Sequence, residues 1–328
     1  MLFKLNLGSL NWPRLKLSRY LSALLSISLV ACGSVNTNNS ATNHSSNYSN
    51  SSNLSSSSSN LGKAGRRPVI GLALGGGAAR GFAHVGVIKM LEANGIKPDI
   101  VVGTSAGSVI AALYATGLSG NDLNKIAINL DEASITDWAM PFSNKYGGMI
   151  KGDALQNEIN RLVSNRRIDQ MNIPLGIVST DLKTGDAILF RRGDTGQAVR
   201  ASCSVPGVFA PTIIGNREYV DGGLTSPVPV RFAKQMGADI VIAVNISTDP
   251  SAQTYNGTIG VLLQTTSIMG RSINQFELPL ADVTILPELS TMKGTDFKSR
   301  NSAVLAGEIA TQAKIAELKA KIANFSVK

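Results

Sequence analysis

Gly103-Thr104-Ser105-Ala106-Gly107 sets one serine between two glycines, each two residues away. An apolar run, Asp99-Ile100-Val101-Val102, leads into it, and a helical pattern from Ala106 to Thr116 leads out. A serine held in a tight strand-to-helix turn needs small neighbours at those positions, because a side chain there would strike the backbone of the bend. The turn lifts the hydroxyl clear of a sheet and sets it at the positive end of the following helix. The chemistry this predicts is nucleophilic attack by Ser105.

A second group precedes it. Gly75-Gly76-Gly77-Ala78-Ala79-Arg80-Gly81 follows the apolar run Pro68 to Leu74. Residues with little or no side chain let backbone N–H groups converge on one point, and at a helix N-terminus that point attracts negative charge. The charge could be a ligand phosphate or the oxyanion of acyl transfer. A phosphate-binding Walker loop needs Lys followed by Ser or Thr after its last glycine, and here Phe82 follows Gly81. A dinucleotide fingerprint forced from Gly76, Ala78 and Gly81 has alanine where the pyrophosphate comes closest, and no acid ends the second strand. The oxyanion reading is favoured, since a nucleophile elbow ends the very next strand.

Such a serine needs a base. The chain has two histidines, His44 and His84, and both precede Ser105. A Ser-His-Asp triad in α/β-hydrolase order needs a histidine after the serine. His84 falls one turn into the helix after the glycine loop, where packing or hydrogen bonding to that loop is its expected part. A carboxylate is therefore the expected base. Asp181 reads as the end of a hairpin strand, and Asp131, Glu132, Asp169 and Asp239 read as helix ends, loops or caps. Asp221 is followed by Gly222-Gly223, a side-chain-free loop that lets a carboxylate approach another segment. Local pattern alone leaves an ordinary Asp-Gly turn equally open.

The elements that must hold these groups read as an α/β fold. The runs ending at Leu74 and Val102 are strands, each followed by a helix, which predicts βαβ units and a mainly parallel central sheet with helices on both faces. Ile173–Leu182 and Ala187–Arg191 flank Lys183-Thr184-Gly185-Asp186 as a hairpin. Ser226-Pro227 has the form of a helix start, with Ser as N-cap and Pro at the first position. Asp239–Ile246 is a further buried strand, and Ile315, Leu318, Ile322 and Phe325 recur at helical spacing.

Taken in order, the glycine loop ending in Arg80-Gly81, the segment Gly103–Gly107 and Asp221-Gly222-Gly223 resemble the patatin-like phospholipase family. The stretches Gly81-Phe82-Ala83-His84-Val85-Gly86-Val87, Thr180–Gly185 and Ala201–Phe209 are similar to its bacterial members. The resemblance covers about residues 68–246. It implies a three-layer fold with a Ser/Asp dyad, Ser105 as nucleophile and Asp221 as general base. It also implies an oxyanion hole from the amides of Gly75, Gly76, Gly77 and Ala78, with Arg80, Gly81, Gly103, Gly107, Gly222 and Gly223 shaping the motifs. Aligned on Arg80-Gly81, Ala78 stands where the family has its third glycine. Alanine keeps the N–H but loses easy access to φ > 0, which sets Gly76 and Gly77 ahead of it as donors. The implied reaction is release of fatty acid from a phospholipid or lysophospholipid through an acyl-enzyme. No cofactor or metal is expected.

The first 31 residues carry Lys4, Arg14, Lys16 and Arg19, no acid, and an apolar run from Leu21 to Ala31. This is the form of a secretory signal. Leu29-Val30-Ala31-Cys32 resembles the bacterial lipobox, which implies a lipid on Cys32 and a membrane-anchored protein of the cell envelope. Gly33, rather than aspartate, follows the cysteine and points to the outer membrane. Residues 32–61 are two-thirds Ser and Asn and read as a flexible tether, leaving 62–328 as the acyl hydrolase domain. Cys203 then has no partner cysteine and is expected to be a small buried side chain. Beyond the signal, 27 basic face 22 acidic side chains, a modest excess that suits an anionic membrane surface. No basic residues alternate with aromatics, so nucleic acid is not an expected partner. Trp138–Phe142 is an apolar stretch that fits a lid, an interfacial contact or core. Two competing readings stand beside phospholipid hydrolysis: an esterase or thioesterase on soluble substrates, and a non-catalytic lipid-binding lipoprotein.

Overall fold

The computed structural model describes residues 66–129, 150–247, 249–252 and 255–326. The expectations for residues 1–31, Cys32, the tether 32–61, Asp131, Glu132 and Trp138–Phe142 lie outside the described residues. Five short strands run parallel: β1 (Ile70–Leu74), β2 (Ile100–Thr104), β3 (Leu175–Asp181), β7 (Ile240–Val244) and β8 (Val283–Ile285). Three more pair antiparallel: β4 (Ala187–Phe190), β5 (Thr212–Ile214) and β6 (Arg217–Asp221). The order is β5-β6-β3-β2-β1-β7-β8, with β4 also along β3.

Strands β1, β2, β3 and β7 are buried at every position, as a sheet covered on both faces requires. On one face Leu72, Leu74, Val101, Ile177, Ile242 and Val244 pack with α1 (Phe82–Ala93), α2 (Ala106–Ala115), α3 (Gly120–Asn129), α4 (Asp153–Leu162), α5 (Thr195–Ser202), α8 (Arg300–Gln312) and α9 (Ile315–Ala323). On the other, Ala73, Val102, Val178, Val241 and Ala243 pack with Val230, Phe232 and Ala233 of α6 (Val230–Gln235). The last helix to name, α7 (Gly257–Glu277), connects β7 to β8.

The path of β3 decides what meets at the site. Strand β4 pairs with Ile177 to Thr180 of β3, overlapping the β2 pairing at Ile177 and Val178 and the β6 pairing at Ser179 and Thr180. One strand edge cannot hold two partners at one residue, so β2 and β6 must share the edge opposite β4. Strand β2 uses it up to Thr104↔Val178, and β6 takes over at Asp221↔Ser179. The residue after Thr104 and the last residue of β6 are thereby brought end to end.

The expected strands, the hairpin and the closing helix are present within a few residues of their sequence bounds. The helix start at Ser226-Pro227 is not. Helix α6 begins at Val230, with Pro229 at its N-cap. Ser226 donates its hydroxyl to Glu277 Oε1 at 2.8 Å instead, and the Ser226 and Pro227 carbonyls accept from Thr104 Oγ1 and Gly76 N. Three tertiary hydrogen bonds outweigh the local capping preference.

Candidate active site

Ser105 lies between β2 and α2 at φ 52°, ψ −126°, a left-handed backbone that an L-residue adopts only when its surroundings enforce it. The enforcement comes from close packing on both sides. A side chain at Gly103 would strike the Gly107–Ser108 backbone, and one at Gly107 would strike the Leu74 carbonyl. The Ser105 N–H donates to Ser202 Oγ at 2.8 Å, and Ser202 in turn donates to the Val178 carbonyl at 2.5 Å. The Ser105 carbonyl accepts from Ser108 N and Ser108 Oγ, so both backbone groups of the elbow are engaged.

The Ser105 hydroxyl donates to Asp221 Oδ2 at 2.6 Å across 116 residues of sequence. The other carboxylate oxygen, Oδ1, accepts Gly223 N–H at 2.7 Å, which fixes the orientation of the acid. Gly222 is needed at the close approach to β3, where a side chain would collide with the Val178 carbonyl. Asp221 is 6% exposed. Burial pushes its carboxyl up to about 6, while the hydrogen bonds from Ser105 and Gly223 pull the other way. An aspartate tuned to that range holds a proton far better than a solvated one, yet is ionised above neutrality.

The glycine loop borders the serine: a Cβ on Gly76 would stand 3.1 Å from Ser105 Cβ. Its amides are not equivalent. Gly75 N–H donates to the Val244 carbonyl at 3.0 Å and Gly76 N–H to the Pro227 carbonyl at 2.9 Å. Those of Gly77 and Ala78 have no acceptor among the described residues, and neither has that of Ala106, the first residue of α2.

A family profile described as patatin-like phospholipase matches residues 72–234, the span that contains all three segments. The chain belongs to the patatin-like phospholipase family. An uncharacterized NTE family protein of Mycobacterium tuberculosis is 32% identical over 205 residues, 62% of this chain and 56% of that protein. Patatin-like phospholipase domain-containing protein 6 of Mus musculus is 30% identical over 228 residues, 68% of this chain and 16% of that protein. The chain thus spans about half the length of the mycobacterial relatives it matches. VipD from Legionella pneumophila aligns with a TM-score of 0.48 at 13% identity, over 77% of this chain and 68% of that one.

Against the expectation for this family's glycine loop, two of the four named amides are removed as oxyanion donors. Gly75 and Gly76 already serve the backbone carbonyls that anchor the loop, which leaves Gly77 and Ala78. The alanine in the third-glycine position does reach the left-handed region, at φ 52°. Gly77 is extended at φ 170°. Arg80 donates Nε–H to the Ile246 carbonyl at 3.0 Å, tying the loop to the end of β7. Gly81 lets Ala106 approach, since a Cβ there would stand 2.9 Å from Ala106 Cβ.

His84 is fully buried, and its Nε2 meets the Gly75 carbonyl at 2.8 Å. A carbonyl can only accept, so Nε2 carries the proton. Burial holds the imidazole down at about 4, opposed by the hydrogen bond to Gly75, and the ring is neutral at pH 7. It buttresses the glycine loop and takes no proton from Ser105, which donates to Asp221. The other acids have structural partners: Asp181 accepts from Lys183 N and Thr184 N, Asp169 from Gly193 N, and Asp239 from Val69 N. Cys203 is buried, 4.0 Å from Ser108 Oγ, and burial raises its thiol above the ordinary range.

Sequence reasoning missed Ser202, Ser226, Glu277 and the Ala106 amide. The Ala106 N–H was legible, as the amide after the nucleophile at a helix N-terminus. Ser202 and Glu277 carry no local signal and that of Ser226 points to a helix cap instead, because each acts on a segment dozens of residues away.

Proposed function

We propose that this protein is a membrane-tethered serine acyl hydrolase that releases fatty acid from phospholipids or lysophospholipids. The reading rests above all on the 2.6 Å hydrogen bond from the Ser105 hydroxyl to the buried, raised-pKa carboxylate of Asp221. Asp221 takes the hydroxyl proton as Ser105 Oγ attacks the ester carbonyl carbon, and the carbonyl oxygen becomes an oxyanion. Three unengaged amides, those of Gly77, Ala78 and Ala106, supply the donors for that charge. Collapse of the intermediate breaks the bond to the leaving alcohol or lysolipid, which departs with the proton from Asp221 and leaves acyl-Ser105. Water then attacks the acyl carbon, gives its proton to Asp221, and the fatty acid leaves as Ser105 regains its hydrogen.

Membership of the patatin-like phospholipase family supports the substrate class. Anchoring follows from Leu29-Val30-Ala31-Cys32: a lipid on Cys32 would hold the protein on the envelope membrane, with Gly33 pointing to the outer one. Mass spectrometry of the mature protein, with Cys32→Ser as control, reads the acyl chains directly. Product analysis on defined phospholipids tests the chemistry: wild type releases fatty acid and Ser105→Ala, folded by circular dichroism, does not. Substantial turnover by Ser105→Ala overturns the assignment.

A further inference from the structure

Helix α7 leaves most of its apolar side chains uncovered. Across its 21 residues only Gly270, Asn274 and Glu277 are buried. Each sits on a loop of the catalytic region. A Cβ on Gly270 would meet Pro227 at 3.4 Å, Asn274 Nδ2 donates to Ser247 Oγ at 3.4 Å, and Glu277 Oε1 accepts from Ser226 Oγ. Ser226-Pro227 is the segment whose carbonyls hold Thr104, the neighbour of the nucleophile, and Gly76 of the glycine loop. Near its other end, Leu262 packs against Gly207, where a Cβ would stand 2.9 Å from Leu262 Cδ2. The inner face of α7 is therefore seated on the loops that build the site.

At 3.6 residues per turn, Val261, Thr265, Ile268, Met269, Ser272 and Phe276 fall on one stripe of the opposite side, with Leu262 at its margin. Phe276 is 80% exposed, Val261 53% and Ile268 51%. The stripe holds no charge. Of the two charged residues in α7, Glu277 is buried beneath it and Arg271 lies beside it, paired with Asp249 at 3.3 Å.

We infer that the outer face of α7 docks on a phospholipid surface and seats the catalytic loops against it. The inference deepens the acyl-hydrolase reading and rests on it for the source of the lipid. Four observations favour lipid as the occupant. The stripe runs about 22 Å along the helix, from Val261 to Phe276, with no charge to register a protein partner. The exposed apolar side chains lie on one side of α7 only, the pattern of a helix that rests in an interface. Leu262 packs on Gly207, which half-buried Val205, Pro206, Val208 and Phe209 flank in the loop after Ser204, whose carbonyl accepts from Asp221 N. The basic excess of the chain beyond its signal segment matches anionic headgroups.

The test uses the full chain with Cys32→Ser and Ser105→Ala, so that neither an anchor nor turnover contributes, and sucrose-loaded vesicles of phosphatidylcholine and phosphatidylglycerol. Adding Ile268→Glu and Met269→Glu should weaken co-sedimentation at least tenfold. With Ser105 restored, the same pair of changes should lower vesicle hydrolysis at least tenfold while turnover of a monomeric short-chain ester stays within about twofold. Met269→Trp should give an additional emission that shifts to the blue with vesicles and is quenched by brominated lipid. Unchanged sedimentation in the double variant, or an added indole emission in Met269→Trp that is indifferent to vesicles, overturns the inference. So does a double variant that changes only from dimer to monomer, since α7 then faces a second copy. Absence of ester turnover in the Ser105 protein, with docking still lost on Ile268→Glu and Met269→Glu, discards the hydrolase reading and leaves the docking face standing.

Discussion

Replacing Asp221 by Asn should stabilise the protein at neutral and alkaline pH while abolishing turnover. The carboxyl titrates at about 6 in the fold against an ordinary value of 3.8, with burial as the main cause. A group whose pKa is raised on folding favours the folded state below its unfolded value, and that contribution is lost as pH rises through the folded one. The difference corresponds to about 3 kcal/mol between pH below 4 and pH above 6. Asparagine is neutral throughout and keeps the shape of the site: Oδ1 accepts from Gly223 N–H, and Nδ2 donates to Ser105 Oγ where Oδ2 accepted before. For a domain of this size, 1 kcal/mol moves Tm by about 2–4 °C, so the variant should melt about 6–12 °C above wild type at pH 8. The advantage should shrink across pH 6 and vanish near pH 4. Differential scanning fluorimetry of both proteins from pH 4 to 8 measures it, since other titrating groups are common to the two. A Tm difference that is flat with pH, or that favours wild type at pH 8, refutes the account of a buried, strained carboxylate.

The same ionisation predicts the rate profile. For wild type, kcat/KM on a monomeric ester should rise about tenfold per pH unit below 6 and level off above it, because only the carboxylate accepts the Ser105 proton; a plateau extending down to pH 4.5 would exclude Asp221 as the base. Ala78→Gly relieves an L-residue held at φ 52° and keeps the amide. Weighed against the freer unfolded chain, it should raise stability by about 0.5–1 kcal/mol and leave kcat within twofold, read by denaturant titration and ester turnover. A loss of stability would show that the left-handed backbone at residue 78 is not a source of strain.

The sequence by itself determined the parts of this protein that depend on neighbours a few residues apart. Gly103 and Gly107 around Ser105 specify the elbow, because the clashes they avoid lie within the turn and with the strand next to it. The apolar runs ending at Leu74 and Val102, each followed by a helix, specify buried parallel strands, and Lys183–Asp186 specifies the hairpin. Even the departure at Ala78 was visible as a backbone question, though not its answer. What only the tertiary structure decided is which distant groups meet. Asp221 looked locally like an ordinary turn. It faces Ser105 because β2 and β6 take successive stretches of one edge of β3, a register fixed by pairing along whole strands. Gly75 and Gly76 looked like oxyanion donors, but their amides are taken by carbonyls of Val244 and Pro227, more than 150 residues on. Ser226 looked like a helix cap, and Glu277 claims it instead. Steric rules act along the chain and are written in neighbouring residues. A hydrogen bond between remote segments is written nowhere locally, because it depends on how every intervening element has packed.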